Sequence, residues 1–383
     1  MTANSNVREV ACSLRALIEA EADAVDEACT MTAPLVEKFT TTGLFRLMVP
    51  RDLGGLEADV DTIIDVCEEL SYADGSVGWA YAQNCNTMSY AAYLAPEAGA
   101  AVIDSGCAAG VFAPLGTAHK VPGGFRVSGH YPFGSGARHA AFIGCGAIEL
   151  HDGEMPPFDE AGLPLVRCLF MPVESVELQD NWDVMGLRGT GSIDFEVPEQ
   201  FVEDAFSYSL FETRPRTGGA IYGLGCVQLG AISSAGWCLG VARRALDEIN
   251  AIVAGGRARL GSPPLREQQL FQREFGRQTL ALEAARLLVR DAFGAAVDHI
   301  ATGEQCTTEL MNRTRAAVSY VNDVARAVTL FAYESSGSQG LRNPSKLQRC
   351  FRDMQTGGLH VIYDQRGVVD MAKGKLGLEV SMI

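Results

Sequence analysis

Apolar residues recur at intervals of three and four along the N-terminal part of the chain. Val7, Val10, Leu14, Leu17, Ile18 and Val25 form one series, and Val60, Ile63, Ile64, Cys67 and Leu70 another. This spacing lines one face of an α-helix. Gly43 and Gly75 read as helix stops and Pro34 and Pro96 as helix starts, because a helix end favours glycine and a first helical turn tolerates a residue without an amide donor. Across residues 108–206 the pattern changes to short apolar runs broken by glycine and proline. Pro122-Gly123-Gly124 separates residues 119–121 from 125–127 like a hairpin turn. Further strand candidates are 140–150, 165–173 and 192–202, spaced by turns such as His151-Asp152-Gly153. Helical periodicity returns from Gly218 in four long segments, with Ser262-Pro263-Pro264 and Asn343-Pro344 as caps that place proline at the first helical position. The order predicts an α+β multidomain chain: an N-terminal helical domain over 1–105, a central β-barrel or β-sandwich domain over 106–212, and a C-terminal four-helix bundle over 213–383.

One stretch, 217–242, carries no charge and is long enough to span a bilayer. It also holds Gly218, Gly219, Gly223, Gly225, Gly230, Gly236 and Gly240, with Gln228, Ser233 and Ser234, and arginines flank it on both sides (Arg214, Arg216, Arg243, Arg244). Such a density of small residues fits close helix packing, and flanking charge without bias gives no inside-outside orientation. The stretch is therefore read as a buried helix, and no membrane partner is expected. The first residues turn acidic at once and lack the basic start and apolar block of a signal peptide.

Composition narrows the function classes. With 47% hydrophobic and 20% charged residues in 383, the chain can bury a large core. Its formal charge of −16 repels phosphate backbones, so no nucleic acid partner is expected. The eleven cysteines include no C-x-x-C pair, which points to reduced thiols in a cytoplasm rather than to a disulfide framework or a zinc site. No G-x-G-x-x-G, Walker-type loop, H-E-x-x-H or G-x-S-x-G occurs, and none of the six histidines pairs with another at metal-ligand spacing. No metal is expected.

Three separated stretches carry a family resemblance. Residues 116–136 read GTAHKVPGGFRVSGHYPFGSG, residues 182–192 read WDVMGLRGTGS, and residues 347–353 read LQRCFRD, with His360 seven positions beyond Asp353. Together, in this order, the chain resembles the acyl-CoA dehydrogenase superfamily and, within it, the branch of two-component flavin-dependent monooxygenases. The resemblance implies an acyl-CoA dehydrogenase-like fold and the oxygenase component of a two-component enzyme. Such a component takes reduced flavin (FMNH2 or FADH2) by diffusion from a separate flavin reductase and uses O2 as co-substrate. It oxygenates an apolar aromatic or polycyclic small molecule through a C4a-hydroperoxyflavin, and the resemblance implies a homotetramer.

The dehydrogenases of the superfamily need a carboxylate base for an α-proton. Here 218–242 has no acid, and the region after Arg352-Asp353 holds Thr356-Gly357-Gly358-Leu359-His360, with Asp364 nearby. The resemblance makes His360 the catalytic base or hydrogen-bond partner of the substrate and Ser135 the hydroxyl at flavin N5. It implies flavin contacts from Phe112, Pro114, Gly116, Ala118 and Arg188, with Ser192 beside the last. Trp79, Asn86 and Tyr90, read on one helix, are the substrate-pocket candidates. Arg266, Arg273 and Gln278 read as solvated helix face. Two rival readings are an FAD-dependent acyl-CoA dehydrogenase and a catalytically silent flavin-binding homologue.

Overall fold

The computed structural model describes residues 3–151, 157, 158, 162, 164–258, 260–343 and 345–380. Among them the helical, β, helical order is borne out. The first part comprises α1 (Ala3–Ser13), α2 (Arg15–Ala28), α3 (Ala33–Thr41), α4 (Val60–Ala73), α5 (Gly75–Ser89) and α6 (Pro96–Asp104). Pro34 lies in the first turn of α3 and Pro96 opens α6, while Gly43 stands past the end of α3 with φ 72°. Gly75 departs from expectation, since it opens α5 instead of closing α4. The break is made by Asp74, whose extended backbone ends one helix while its carboxylate accepts from the Ser76 and Val77 amides at 3.0 Å and starts the next.

The β part is one mixed sheet in the order β5-β6-β2-β1-β3-β4-β7. Its strands are β1 (Ala108–Val121), β2 (Gly124–Gly134), β3 (Phe142–Leu150), β4 (Val166–Pro172), β5 (Glu177–Leu178), β6 (Ile193–Glu203) and β7 (Ser207–Ser209). Val121 pairs with Gly124, leaving Pro122 and Gly123 as the two turn residues, and Gly123 takes the φ of 82° that only glycine accepts freely. One face of the sheet closes over Phe125, Val127, Tyr131, Ile143, Leu169 and Phe195. The expected turn at His151-Asp152-Gly153 lies partly outside the described residues.

The C-terminal part holds three long helices, α7 (Gly225–Ala254), α8 (Gln269–Ala301) and α9 (Thr308–Ser336), and two short ones, α10 (Lys346–Gly357) and α11 (Arg366–Lys375). The fourth predicted long segment is thus divided, with the break at Gly358 and His360 before a 3-10 turn, Val361–Tyr363. The first proline cap does not start a helix where expected. Pro264 has the extended ψ of 141° and introduces only the short turn Leu265–Glu267, so α8 begins at Gln269. α10 is capped by Ser345, which accepts from the Gln348 amide, and Pro344 lies outside the described residues.

The charge-free stretch forms most of α7, and 94% of its most apolar window is buried inside the protein. Its glycines let two backbones meet: a Cβ on Gly240 would stand 2.3 Å from the Glu68 carbonyl oxygen of α4, and one on Gly236 2.8 Å from the Ile64 carbonyl oxygen. Beside this seam Glu68 is held by Arg243 at 2.9 Å and Arg286 at 2.7 Å.

Candidate active site

Three elements converge beside this seam. α5 is almost wholly buried and places Trp79 against the loop that follows β2. That loop is pinned, since the Gly136 amide donates to the Thr190 carbonyl at 3.0 Å. The indole Nε1 of Trp79 donates to Ser135 Oγ at 3.2 Å, Ser135 Oγ lies 2.7 Å from Ser192 Oγ, and Ser192 Oγ lies 2.6 Å from Thr190 Oγ1. Thr190 Oγ1 in turn donates to the Leu187 carbonyl at 2.8 Å.

Each hydroxyl has a single proton, so the two ends dictate the direction. An indole N–H can only donate and a carbonyl can only accept. The protons run from Trp79 through Ser135, Ser192 and Thr190 to Leu187, leaving Ser135 a free lone pair for an outside donor. The Leu187 carbonyl also accepts from Trp182 Nε1 at 3.1 Å. It therefore stays satisfied if the hydroxyls reverse and Ser135 turns its proton outward.

His360 also meets Trp79, with ring centroids 5.5 Å apart in an edge-on arrangement, and Trp237 of α7 meets Trp79 in the same manner at 4.8 Å. His360 is also a cap: its Nδ1 accepts from the Ile362 amide at 3.2 Å. That commitment leaves the proton of the neutral ring on Nε2, as an available donor. Protein atoms crowd most of the ring and push its pKa down to about 4, while its outer surface stays open to solvent. The ring is therefore uncharged at pH 7. Its chain neighbours are apolar and exposed, Leu359 at 78% and Val361 at 67%, and Phe133, two residues before Ser135, is 65% exposed.

The other candidates are arranged around this core. Asn86 lies two turns after Trp79 on α5 and is buried, its Oδ1 accepting from Ser233 Oγ of α7 at 2.8 Å. Tyr90 is not on α5; it is the first residue of the 3-10 turn Tyr90–Tyr93, because the helix ends at Ser89. Its ring packs edge-on against Phe112 at 5.0 Å, and Phe112 continues to Phe170 at 5.6 Å. The β1–β3 register shifts on either side of Pro114, between Val111 and Gly116. This bulge leaves Pro114 exposed, while Gly116 and Ala118, back in register, are buried.

Arg188 is engaged by groups outside the Ser135 chain. It reaches the Asp26 carboxylate at 3.7 Å, Asp183 at 3.6 Å and the Val184 carbonyl at 3.5 Å. The carboxylates near His360 in sequence are engaged elsewhere, Asp364 by the Arg366 amide at 2.7 Å and Asp353 by the Leu187 amide at 2.6 Å. His139, outside the candidate set, bonds Asn84 at 2.9 Å and steadies α5 against the loop after Ser135.

The family descriptions "Acyl-CoA dehydrogenase, N-terminal domain" and "Acyl-CoA dehydrogenase, C-terminal domain" match residues 4–98 and 232–365, together more than half of the chain. The chain belongs to the acyl-CoA dehydrogenase family. It is 28% identical over 351 residues to an indole-3-acetate monooxygenase of Pseudomonas putida, covering 89% of this chain and 87% of that protein. It is 27% identical to the oxygenase component of an FADH2-dependent resorcinol hydroxylase of a Rhizobium species, covering 95% and 92%. The crystal structure of 3-HSA hydroxylase from a Rhodococcus species superposes with a TM-score of 0.89 at 24% identity, over 98% of this chain and 97% of that one.

Within this acyl-CoA dehydrogenase fold, sequence reading names Trp79, Ser135, Ser192 and His360 but misses Thr190 and Trp237. Thr190 sits inside the quoted WDVMGLRGTGS stretch, so its neighbourhood was visible. Trp237 gave no signal beyond being the one aromatic in the middle of α7.

Proposed function

We propose that this chain is the oxygenase component of a two-component, reduced-flavin-dependent monooxygenase that oxygenates an apolar aromatic or polycyclic small molecule. The observation that carries this reading is the cluster Ser135–Trp79–His360: a neutral imidazole and a hydroxyl that meet one indole, with no carboxylate among the described residues shifting the pKa of that imidazole. A thioester dehydrogenation calls for a carboxylate there, and a hydroxylation does not.

The residues fit a flavin ring. Trp79, Phe133, Leu359 and Val361 offer apolar surface to a flat ring, Ser135 offers a hydroxyl able to accept or donate at its polar edge, and the bulged strand around Pro114 presents backbone groups. Reduced flavin, when bound, supplies the electrons that activate O2. Ser135 holds a proton at the ring edge, in either direction. His360 Nε2–H donates to an oxygen at the reacting end of the substrate, the hydrogen-bonding role of the two open to it. Trp237, Tyr90 and Phe112 keep water away from the ring. The flavin, as FMN or FAD, comes by diffusion from a separate reductase. The exposed Leu280 and Leu287, seven apart on α8, support burial against further copies of the chain in a homotetramer.

The test mixes the protein with stoichiometric reduced FMN or FAD without oxygen, then adds O2 and follows the return of oxidised-flavin absorbance alongside H2O2. A lag before that return, with hydroxylated product when indole or resorcinol is present, is the expected result. Immediate reoxidation without a lag, or a tightly held oxidised FAD bleached by an acyl-CoA, overturns it.

A further inference from the structure

Leu187 is one of few non-glycine residues in the left-handed region, with φ 56° and ψ 31°. A leucine occupies that conformation only where its surroundings impose it. Its carbonyl is the end point of the hydroxyl chain that begins at Ser135, and its amide is gripped from across the fold by Asp353 Oδ1 at 2.6 Å. The neighbouring backbone is held by the same helix: Arg352 Nη1 donates to the Met185 carbonyl at 2.8 Å, and a Cβ on Gly186 would fall 2.2 Å from the Arg352 carbonyl oxygen. Asp353 is 2% exposed, yet its Oδ2 has no hydrogen-bond partner in the protein. It lines a cleft of about 150 Å³ with Asp74, Gly75, Arg244 and Arg349. α10 therefore serves the site twice. Its C-terminal end leads into His360, and its middle holds the loop from which Thr190 and Ser192 reach Ser135.

We propose that Asp353 is a positioning residue which, by gripping the amide of left-handed Leu187, holds the Thr190 and Ser192 hydroxyls beneath Ser135 and so fixes the proton that Ser135 shows to the flavin edge. This rests on the reading that Ser135 faces the flavin. The grip on Leu187 itself does not, which separates the two tests. All three tryptophans of the chain, Trp79, Trp182 and Trp237, bond to or pack within this assembly, so the emission of the flavin-free protein reports on it directly.

Asp353→Asn keeps an acceptor for the Leu187 amide and should retain wild-type emission and affinity for reduced FMN. Asp353→Ala removes the acceptor. It should shift the emission and weaken reduced FMN binding about tenfold, the equivalent of one hydrogen bond. Leu187→Gly added to Asp353→Ala should recover most of that loss, because glycine adopts the left-handed backbone without being held, whereas Leu187→Ala should not. Wild-type emission and affinity in Asp353→Ala, or equal rescue by glycine and alanine, overturns the proposal. If Asp353→Ala does not fold, Asp353→Ser and Thr190→Val take its place: each should shift the emission, and no shift in either overturns the proposal. Failure of the wild-type protein to bind reduced FMN or FAD at all would defeat the flavin reading instead, with the emission results still deciding the role of Asp353.

Discussion

The α4–α7 seam and the junction of α10 with the loop around Leu187 both bury charge, and they do so in opposite ways. At the seam each carboxylate is saturated: Glu68 meets Arg243 and Arg286, and Glu69 meets Arg15 and Arg243. Burial works to raise the Glu69 pKa, but hydrogen bonds from Arg243 and Arg15 outweigh it and hold the group low. At the α10 junction burial prevails, reinforced by the neighbouring Asp74 charge, and the Asp353 carboxyl is pushed up to about 7. Saturated charge locks two helices together. Unsaturated charge leaves a group that changes state within the working range of an enzyme, and here it is tied to a strained loop at the candidate site.

The contrast can be broken or sharpened by experiment. The largest effect is expected at the seam. Gly240→Leu drives a side chain into the Glu68 backbone, and a loss of about 4 kcal/mol or more, up to failure to fold, is expected in urea unfolding. A mild effect would mean that the two helices can part, and that the seam is not the rigid member of the pair. Next is Ser135→Ala, which should shorten the reoxidation lag about tenfold or more, as removal of one preorganised hydrogen-bonding group at a reacting centre commonly does, with little change in melting temperature.

The third prediction is a pH dependence. In the unfolded chain Asp353 loses its proton near the ordinary carboxylate value of 3.8, whereas in the folded chain it keeps it to about 7. Folding thus favours the protonated form. The stability it contributes is complete below about pH 4 and is lost as pH rises toward 7. The groups facing it are Asp74 at the α4–α5 break, Arg349, Arg352 and Cys350 on α10, and, around the cleft, Arg244 of α7 with Glu19 and Asp23 of α2. Asp353→Asn should flatten this part of a stability-against-pH curve. An unchanged slope would place the titration elsewhere. The smallest effect belongs to Arg188→Ala. Its partners Asp26 and Asp183 are partly or fully exposed, so a change below about 1 kcal/mol is expected, with flavin affinity unaltered within about twofold. A tenfold loss of affinity would show that the guanidinium reaches the cofactor after all.

Much of this was legible in the sequence, for physical reasons that differ by element. The three-part order follows from periodicity, which reports how each segment meets the core. Hairpin chemistry at Pro122-Gly123 is local, so the turn was placed correctly. The start of α8 was not, because two prolines fit the flank of a 3-10 turn as well as the head of a helix. Gly75 reads as an ending because glycine is common there, but the side chain of Asp74 decides the matter. At the site, Ser135 and His360 stood in the stretches that carry the resemblance, and Trp79 brings them together. The grip of Asp353 on Leu187 joins positions 166 residues apart, and neither residue type advertises it. Nor does a sequence show that a leucine is held left-handed.

The seam has one more bearing. Because Gly236 and Gly240 bring α7 onto α4 with no slack, Gly230, Ser233 and Trp237 on the same helix are fixed in place with it. A substitution at Asn86 or Tyr90, which meet Ser233 and Gly230 of that helix, must therefore be absorbed by α5 and the turn after it rather than by a shift of α7.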